Sequence, residues 1–533
     1  MKKYILKKIK QITLGGWILM AIIFLGIFLR AYNFHAWLDF GSDQVKDINI
    51  VNSVVVNHAA WPSYGPDMSH SGAGGHSQRF LLGPMYYYFE IIAAKIFGNY
   101  PDKLAYPDLL LSILSIPLLY YFLRRYFATN LSLALTGLYA ISFYALSFSH
   151  SAWNVNSIPF FSLLFLLGLY ELILAKEKAD WKWIIALGIS LGVSVQLHAI
   201  LLILFPATLF FASIIYLRKN PKVWKKLGIV IVIAIFLNLG QIIAEQKNGF
   251  SNSKIFFISI ASPSNNTNNL FIKFADDVNC TVHGNAYILS SIGLGSCDHA
   301  IVKAIKRFKV LDVFYDISFI VKIILSLAFF GVGYYLLVRA FKDENDDKKK
   351  TFLGLLVLYL ALSFLVLLPL DVTLLRYFVH TFFLPLIFLG FAVEYLIVKK
   401  TKVVSSLIIA IMFLLVIFFN LFSTMTMANT YSHQNRTDLD YIILGELEAT
   451  LDFMLSFSTQ KNIIYLSCEK DQAIFLRSLL IVANAKNIKI VRLYQDDVWP
   501  NDVPIFNIRT RLDGEVDTQE HINVGKVGIL KIR

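Results

Sequence analysis

The sequence predicts an α-helical polytopic membrane protein with about eleven transmembrane helices, interfacial helices and a small C-terminal α/β domain outside the membrane. Of the 533 residues, 56% are hydrophobic and 16% are charged, whereas about 25% of the residues of soluble domains are charged. The apolar residues form long runs, which is typical of membrane spans, rather than short alternations. Lys and Arg cluster between these runs. This composition excludes a disordered chain, a collagen, a disulfide scaffold and an ordinary cytosolic enzyme.

Eleven apolar segments come close to the ~20 residues that a helix needs to cross the hydrocarbon. The first follows a lysine-rich start, but it is longer than the apolar core of a signal peptide and no A-x-A cleavage site follows. We therefore interpret it as an uncleaved span. The predicted spans are residues 12–32, 104–123, 131–149, 157–175, 183–198, 199–217, 227–244, 317–338, 351–369, 377–398 and 403–427.

Segment 84–98 is apolar enough to span the membrane, but it is short and carries Glu90 and Lys95. Charged side chains are costly at the bilayer centre, and the three tyrosines of this segment suit the interface. We expect an interfacial or half-inserted helix here.

The formal net charge of +13 comes from basic groups that lie between the apolar segments. If these groups face the cytoplasm, the positive-inside rule places the N-terminus inside and, with an odd number of spans, the C-terminus outside. This predicts a multi-pass protein of the cell (plasma or inner) membrane. A nucleic-acid partner is not expected, because the basic groups are separated by membrane spans.

This topology divides the chain into a membrane module, residues 1–430, and an extracytoplasmic α/β domain, residues 431–533. The module carries two large outer loops, 33–103 and 245–316. The second loop contains Cys280 and Cys297, which form a disulfide if they pair outside the cell. The α/β domain has no catalytic motif, so we expect a structural or acceptor-docking role. Its predicted elements are helices at 438–456 and 472–485 and strands at 463–467, 488–493, 505–508 and 527–532.

Three acids follow the first span. Asp39, Asp43 and Asp47 recur every four residues, so a helix would place them on one side. They are either the solvated face of an interfacial helix or a functional cluster, since like charges one turn apart repel each other. An acid at the membrane surface is well placed to act as a general base on an acceptor hydroxyl or amine.

Cations and polar groups accompany these acids at the predicted outer surface. Arg79 lies at headgroup height and either binds a lipid phosphate or extends to ordinary headgroups. Gln196 and His198 lie at the outer end of a span pair, where they serve a function or bond neighbouring spans. Arg376 clusters with Asp371, Tyr377 and His380 at another outward turn, and arginine matches phosphate geometry. His70 and His76 lack a third ligand at a suitable spacing, so no metal site is predicted.

Several short motifs in this order resemble the GT-C superfamily of membrane glycosyltransferases, particularly the branch of protein mannosyltransferases and lipid A aminoarabinose transferases. The resemblance covers about residues 12–400. The first motif, F-x-x-D-Q-x-x-D, spans Phe40–Asp47. The other motifs are Gly65-Pro66 with Ser71-Gly72, Leu82-Gly83-Pro84-Met85-Tyr86-Tyr87-Tyr88, Trp153-Asn154-Val155-Asn156, Gln196-Leu197-His198 and Arg376-Tyr377.

The resemblance implies an inverting glycosyltransferase that takes its sugar from a polyprenyl phosphate carrier and gives it to a glycan, lipid or protein acceptor of the cell envelope. It implies that Asp43 is the catalytic base, with Asp47 or Asp39 as a supporting or acceptor-orienting acid. The other implied contacts to substrate are Asp39, Arg79, Tyr87, Gln196, His198, Arg376 and His380. The resemblance implies a lipid-linked sugar donor, and the sequence leaves open whether a divalent cation takes part.

The chain departs from the family pattern at two places. Gln44 stands where better-studied members have Glu, and the turn Leu82-Gly83-Pro84-Met85 lacks their lysine, for which Arg79 is the candidate replacement. The alternative function is a glycolipid transporter or flippase that forms no bond. That function predicts broken helices and polar groups near the bilayer midplane, whereas the polar candidates here lie at the outer surface.

Overall fold

The computed structural model is mostly helical. It describes residues 13–69, 79–261, 270–291, 317–368, 375–432, 442–458, 462–468, 472–493, 503–510, 518, 520–524 and 527–532. His70, His76, Cys297 and Asp371 therefore lie outside the described residues, as does the side chain of Arg79. Cys280 is buried, and its predicted pairing with Cys297 stays a prediction.

The membrane part consists of long apolar helices joined by short connections. In chain order, the helices up to residue 261 are α1 (Leu14–Ala31), α2 (Ser42–Val55), α3 (Met85–Phe97), α4 (Pro101–Leu104), α5 (Tyr106–Leu123), α6 (Thr129–Ala140), α7 (Phe143–Ser149), α8 (Ile158–Ala175), α9 (Trp181–Leu197), α10 (Ala199–Ala212), α11 (Val223–Leu237), α12 (Leu239–Lys247) and α13 (Ser251–Ala261). The later ones are α14 (Leu270–Ser290), α15 (Ile317–Asp343), α16 (Asp347–Leu367), α17 (Leu384–Lys399) and α18 (Lys402–Ser432).

Every predicted span coincides with helix, but fewer than eleven of these helices are long and apolar enough to cross a membrane alone. Among the described residues seven helices qualify, and two bent pairs, α6 with α7 and α11 with α12, raise the number to nine. The other two predicted spans correspond to α9 and α17, with 17 and 16 residues. Helix α9 ends early because His198 is extended and caps α10, and α17 starts late because a 3-10 turn occupies Leu375–Thr381.

The two bends have polar side chains at their breaks. The pair α6 and α7 is bent by 50°, and the fully buried Arg30 of α1 donates to the carbonyl oxygens of Ala140 and Tyr139 at 2.8 and 3.4 Å. The pair α11 and α12 is bent by 63°, and the amide of Asn238 donates to the carbonyl oxygens of Ala234 and Gly192. Carbonyl groups freed at a helix end need such donors when they are buried.

Two short helices and a hairpin cover one end of the helical bundle. Helix α2 packs on α3, and strands β1 (Asp67–Ser69) and β2 (Arg79–Leu81) form an antiparallel pair between them. Helix α3 has 13 residues, so at 1.5 Å per residue it is about 20 Å long and shorter than the ~30 Å hydrocarbon layer. The prediction that segment 84–98 is a helix that does not span agrees with this length.

The C-terminal unit is a small α/β fold, as predicted. Its helices are α19 (Leu444–Phe457) and α20 (Ala473–Ala485), and its strands are β3 (Ile463–Cys468), β4 (Lys489–Arg492), β5 (Ile505–Thr510), β6 (His521–Val524) and β7 (Val527–Lys531). The sheet order is β4-β3-β5-β7-β6. Strand β3 is parallel to both neighbours, and β7 is antiparallel to both of its own. The sequence missed β6, which has only four residues. The domain boundary near residue 430 and the outer location of this unit stay predictions.

Candidate functional site

A cavity of about 310 Å³ opens beside the start of α2. It lies where α2, the β1–β2 hairpin, the start of α3, the α9–α10 junction and the turn 375–381 meet. Five of the residues predicted from the sequence line it: Asp43, Asp47, Tyr87, His198 and Arg376. Segments that are far apart in the chain therefore converge on one cavity.

Helix α2 sets the positions of its acids through its first turn. It begins after Gly41, whose amide donates to Gln44 Oε1 at 3.0 Å, and the Gln44 amide donates to the carbonyl oxygen of Ala152 at 3.1 Å. This caps the helix and ties it to the loop before Trp153. A glutamate at position 44 has no hydrogen to donate to Ala152. The Gln in place of the family's Glu thus has a structural role, and the acids one turn apart on this helix are Asp43 and Asp47.

The carboxylate of Asp43 is open to the cavity. About half of its side chain is exposed, and Lys46 Nζ lies 3.4 Å from its Oδ1. The same ammonium lies 3.9 Å from Oδ1 of Asp67 on β1. Lys46 thus balances two carboxylates at the cavity wall, and Asp43 is accessible to a molecule that enters from outside.

Asp47 has a different environment one turn deeper. Its side chain is buried and accepts a hydrogen bond from Tyr87 Oη at 3.0 Å. Burial raises the pKa of Asp47 to about 7, although the Tyr87 hydrogen bond opposes this and neighbouring Asp43 adds to it. At neutral pH Asp47 therefore exchanges between the protonated and ionised forms, so it is able to store or return a proton.

His198, at the α9–α10 junction, and Arg376, in the turn at Leu375–Thr381, line another part of the cavity. His198 caps α10, since its Nδ1 accepts the amide hydrogen of Ile200 at 3.2 Å. In the neutral ring the proton then lies on Nε2, which makes that atom a donor. The Arg376 guanidinium lies 5.8 Å from the ring centroids of both Trp153 and Tyr377. These aromatic rings hold the guanidinium in place while it keeps its charge.

Three predicted site residues, Asp39, Gln196 and His380, do not line the cavity, and a fourth, Arg79, is described only by its backbone. Asp39 precedes α2, because its backbone pairs with Ser151 and Ile443, so the predicted alignment of three acids on one helix is wrong for Asp39. Gln196 is buried behind the cavity and accepts the amide hydrogen of Met85 at the start of α3. His380 is buried and bonds to Ser363 Oγ at 2.7 Å. Only the backbone of Arg79 is described, in β2.

The other lining residues were not proposed as site residues: Gly65, Pro66, Leu82, Trp153, Asn154, Val155 and Tyr377 belong to the motifs recognised in the sequence, whereas Lys46, Ile50, Asp67, Met68 and Leu81 do not define any of them. Asp67 directly follows the Gly65-Pro66 motif, so its position in the sequence could have indicated that it lies at the site. Trp153 lies where it does because buried Asp108 accepts from its backbone amide and from Ser157 Oγ. The sequence around Trp153 gives no indication of this hydrogen bond to Asp108, which lies 45 positions away.

A second cavity lies on the other side of α3. It is larger, about 1030 Å³, and mostly apolar, with His35, Asp102 and Lys103 among its lining residues. The remaining lining residues come mainly from α3, α5 and the end of α1. Within the described parts of the chain, no three His, Cys, Asp or Glu side chains are grouped closely enough to hold a metal ion.

Comparisons with known proteins support one fold. The family of dolichyl-phosphate-mannose-protein mannosyltransferases matches residues 82–240, which include Tyr87 and His198 but neither Asp43 nor Arg376. A search of curated protein sequences gave no significant match.

Among solved structures, ArnT from Cupriavidus metallidurans bound to undecaprenyl phosphate is 12% identical, with 97% of each chain covered and a TM-score of 0.50. Its apo form is also 12% identical, with 92% of each chain covered and the same TM-score. The oligosaccharyltransferase AglB from Archaeoglobus fulgidus gives 12% identity and a TM-score of 0.46, over 88% of this chain and 63% of its own. The family match and the match to ArnT confirm the resemblance predicted from the motifs: the chain has the fold of a GT-C membrane glycosyltransferase.

Proposed function

We propose that this protein is a glycosyltransferase that moves a hexosyl or pentosyl group from a polyprenyl phosphate to a lipid, glycan or protein of the cell envelope, at the outer face of the membrane. One observation carries the proposal. An accessible carboxylate, Asp43, and a guanidinium, Arg376, line the same small cavity although they are more than 300 residues apart. A base for the acceptor and a cation for the phosphate are the two groups that such a transfer needs.

In the proposed reaction, the acceptor hydroxyl or amine attacks the anomeric carbon of the donor. The new bond joins the acceptor to that carbon, and the bond from that carbon to the phosphate oxygen breaks. The acceptor proton passes to the Asp43 carboxylate, and both bonding electrons leave with the polyprenyl phosphate. Attack opposite to the leaving group inverts the anomeric centre. A base within about 2.6–3.2 Å of the acceptor oxygen performs the proton transfer.

The phosphate end of the donor would lie against Arg376 and the Nε2 hydrogen of His198. Both groups stabilise the negative charge that grows on the leaving phosphate, and arginine matches phosphate oxygens in geometry. The similarity to a structure of ArnT bound to undecaprenyl phosphate supports a carrier of this type. Asp47 would tune the site electrostatically and keep Tyr87 in place.

The proposal is tested with purified full-length protein and a panel of synthetic polyprenyl-phosphate hexoses and pentoses, together with an envelope extract as the source of acceptor. Mass spectrometry measures the released polyprenyl phosphate and the newly glycosylated product. We expect Asp43→Asn to lower product formation at least 100-fold while binding of polyprenyl phosphate is unchanged. Arg376→Gln should weaken that binding about tenfold, which corresponds to about 1.4 kcal/mol for one phosphate contact.

Asp343→Asn is the matched control, because Asp343 is an exposed acid on α15 that pairs with Arg339 and lies outside the cavity lining. Normal transfer by the Asp43→Asn protein would refute the assignment of the base. Movement of labelled glycolipid across vesicles without a new glycosidic bond would instead establish a transporter.

A further inference from the structure

The C-terminal unit is joined directly to the segment that leads into α2. The amide of Phe40 donates to the carbonyl oxygen of Ile442 at 2.7 Å, and the amides of Leu444 and Gly445 donate to Leu38 and Ala36 at 2.9 and 3.0 Å. Three main-chain hydrogen bonds therefore hold residues 36–40 against the start of α19. They end three residues before Asp43.

Side chains of the same unit add to this contact. Ser478 Oγ on α20 donates to the carbonyl oxygen of Phe40 at 3.0 Å, and both residues are buried. Gly445 approaches Ala36 so closely that an added Cβ would lie 3.0 Å from the Ala36 carbonyl oxygen. The fit at this contact is therefore tight, and a side chain at position 445 would require the Ala36 backbone to shift by a few tenths of an ångström.

A charged cluster closes the other side of the contact. His35 Nε2 lies 2.9 Å from Oε2 of Glu448 on α19, and His35 Nδ1 lies 3.0 Å from Oδ2 of Asp102 on α4. The other oxygen of Glu448 accepts from Tyr100 Oη and from Lys486 Nζ at 2.6 and 3.0 Å. Lys103 in turn contacts Asp102 at 3.0 Å. Glu448 thus joins the C-terminal unit to two segments of the first outer loop.

We infer that the C-terminal unit positions the proposed base: His35 and Glu448 are positioning residues that hold residues 36–40, and through them the start of α2 with Asp43. The inference rests on the proposed function for its catalytic consequence. Because α2 starts directly after the clamped segment, loss of the clamp lets its first turn move. A base displaced by about 1 Å loses much of its effect on the rate.

The charges in the cluster make the contact dependent on pH. Partial burial lowers the pKa of His35, but the hydrogen bonds to Asp102 and Glu448 outweigh it and the net pKa is raised. The protonated ring therefore favours the docked state. Its contribution is fully present below the ordinary histidine pKa of about 6.5 and is lost as the pH rises through the raised value. The hydrogen bonds to Tyr100, Lys486 and His35 lower the pKa of Glu448, so this group stays ionised over the same range.

Hydrogen exchange of the full-length protein in lipid nanodiscs tests the inference directly. Peptides that cover residues 36–46 and 442–448 report the clamping amides. We expect Glu448→Gln to speed exchange of these amides about tenfold, and His35→Gln to have a smaller effect that disappears above the raised His35 pKa. Glu520→Gln is the matched control, because Glu520 also pairs with a lysine of the C-terminal unit, Lys531, and is not part of this contact. In the Glu520→Gln protein, exchange of the amides in residues 36–46 and 442–448 should be the same as in the wild type.

Release of polyprenyl phosphate from the donor panel is measured on the same samples. We expect Glu448→Gln to lower kcat about tenfold while KM for the donor changes less than twofold. Unchanged exchange in both variants would overturn the inference. So would faster exchange with normal kcat, which leaves the assignment of Asp43 intact. If the Asp43→Asn protein instead forms product at the normal rate, the proposed base is refuted, and the hydrogen-exchange result then reports only on the docking of the C-terminal unit.

Discussion

At the scale of single residues, Asp43 and Asp47 show how one turn of helix separates two chemical roles. Both carboxyl groups line the cavity, but Asp43 is exposed beside Lys46 and Asp47 is buried beside Tyr87. Sequence spacing predicts the pairing of these acids on one face. It does not predict which of them is buried, because burial depends on where α3 packs.

The pKa of Asp47 predicts a pH dependence of stability. Its carboxyl group has a folded-state pKa of about 7, above the unfolded value of about 3.9. The folded protein therefore binds the proton more tightly, and this contribution to stability, present below about pH 4, is lost as the pH rises through 7. We expect Asp47→Asn to raise the Tm in detergent by a few degrees at pH 8 and to leave it unchanged at pH 4.

Thermal unfolding of the two proteins across this pH range checks the prediction. Tyr87→Phe provides the matched comparison, because it removes the hydrogen bond that favours the ionised form of Asp47. Its Tm should be lower than that of the wild type, and the fall of its Tm with pH should extend to a higher pH. An Asp47→Asn protein with the wild-type pH profile would contradict the assigned environment of Asp47.

At the scale of elements, close backbone contacts hold the hairpin and α3 in register with the membrane helices. The amide of Gly65 donates to the carbonyl oxygen of Leu82, and the amide of Leu82 donates to that of Pro66. Gly83 lies directly against the Gln196 side chain. Gln196 then accepts from Met85 and donates to the carbonyl oxygens of Gly192 and Leu237. Gln196 therefore positions α3, which explains why this polar residue lies among apolar helices.

A methyl group at Gly83 tests this arrangement, because an added Cβ would overlap the Gln196 side chain. We expect Gly83→Ala to cost about 1–3 kcal/mol, as overpacking does, and to lower transfer by displacing Tyr87 and Asp47. Gly228→Ala is the control, since an added Cβ there meets no atom within 4 Å, and it should be neutral or slightly stabilising. Thermal unfolding and donor cleavage of both variants provide the measurement, and equal behaviour of the two would contradict the proposed packing role.

At the scale of the whole molecule, the orientation in the membrane stays a prediction that a simple experiment addresses. Basic clusters between the spans place the N-terminus in the cytoplasm and the C-terminal unit outside. We expect alkaline phosphatase fused after residue 533 to be active, and the same enzyme fused after Asn220, within a basic loop, to be inactive. The reverse pattern would place the cavity on the cytoplasmic side and contradict the proposed location of the reaction.

The helical fold could be predicted from the sequence because long apolar runs have few alternatives in a bilayer, where every backbone polar group needs an internal partner. The number of helices long enough to cross the membrane depends instead on tertiary contacts. The bends at Ile141 and Asn238 depend on contacts with Arg30 and Gly192, which lie far away in the chain, whereas the end of α9 and the late start of α17 depend on the His198 cap and on the turn at Leu375–Thr381.

The sequence by itself determined the membrane class, the helical segments, four of the five strands of the C-terminal sheet and five of the residues that line the cavity, since hydropathy, periodicity and motif order are local properties of a chain. Only the tertiary structure decided that Asp39 precedes α2 and is not aligned with Asp43 and Asp47. It also decided that Gln196 and His380 are buried outside the cavity lining, and that the C-terminal unit contacts the segment before Asp43. Most of those outcomes depend on contacts between residues more than 100 positions apart, and local pattern carries no information about such contacts.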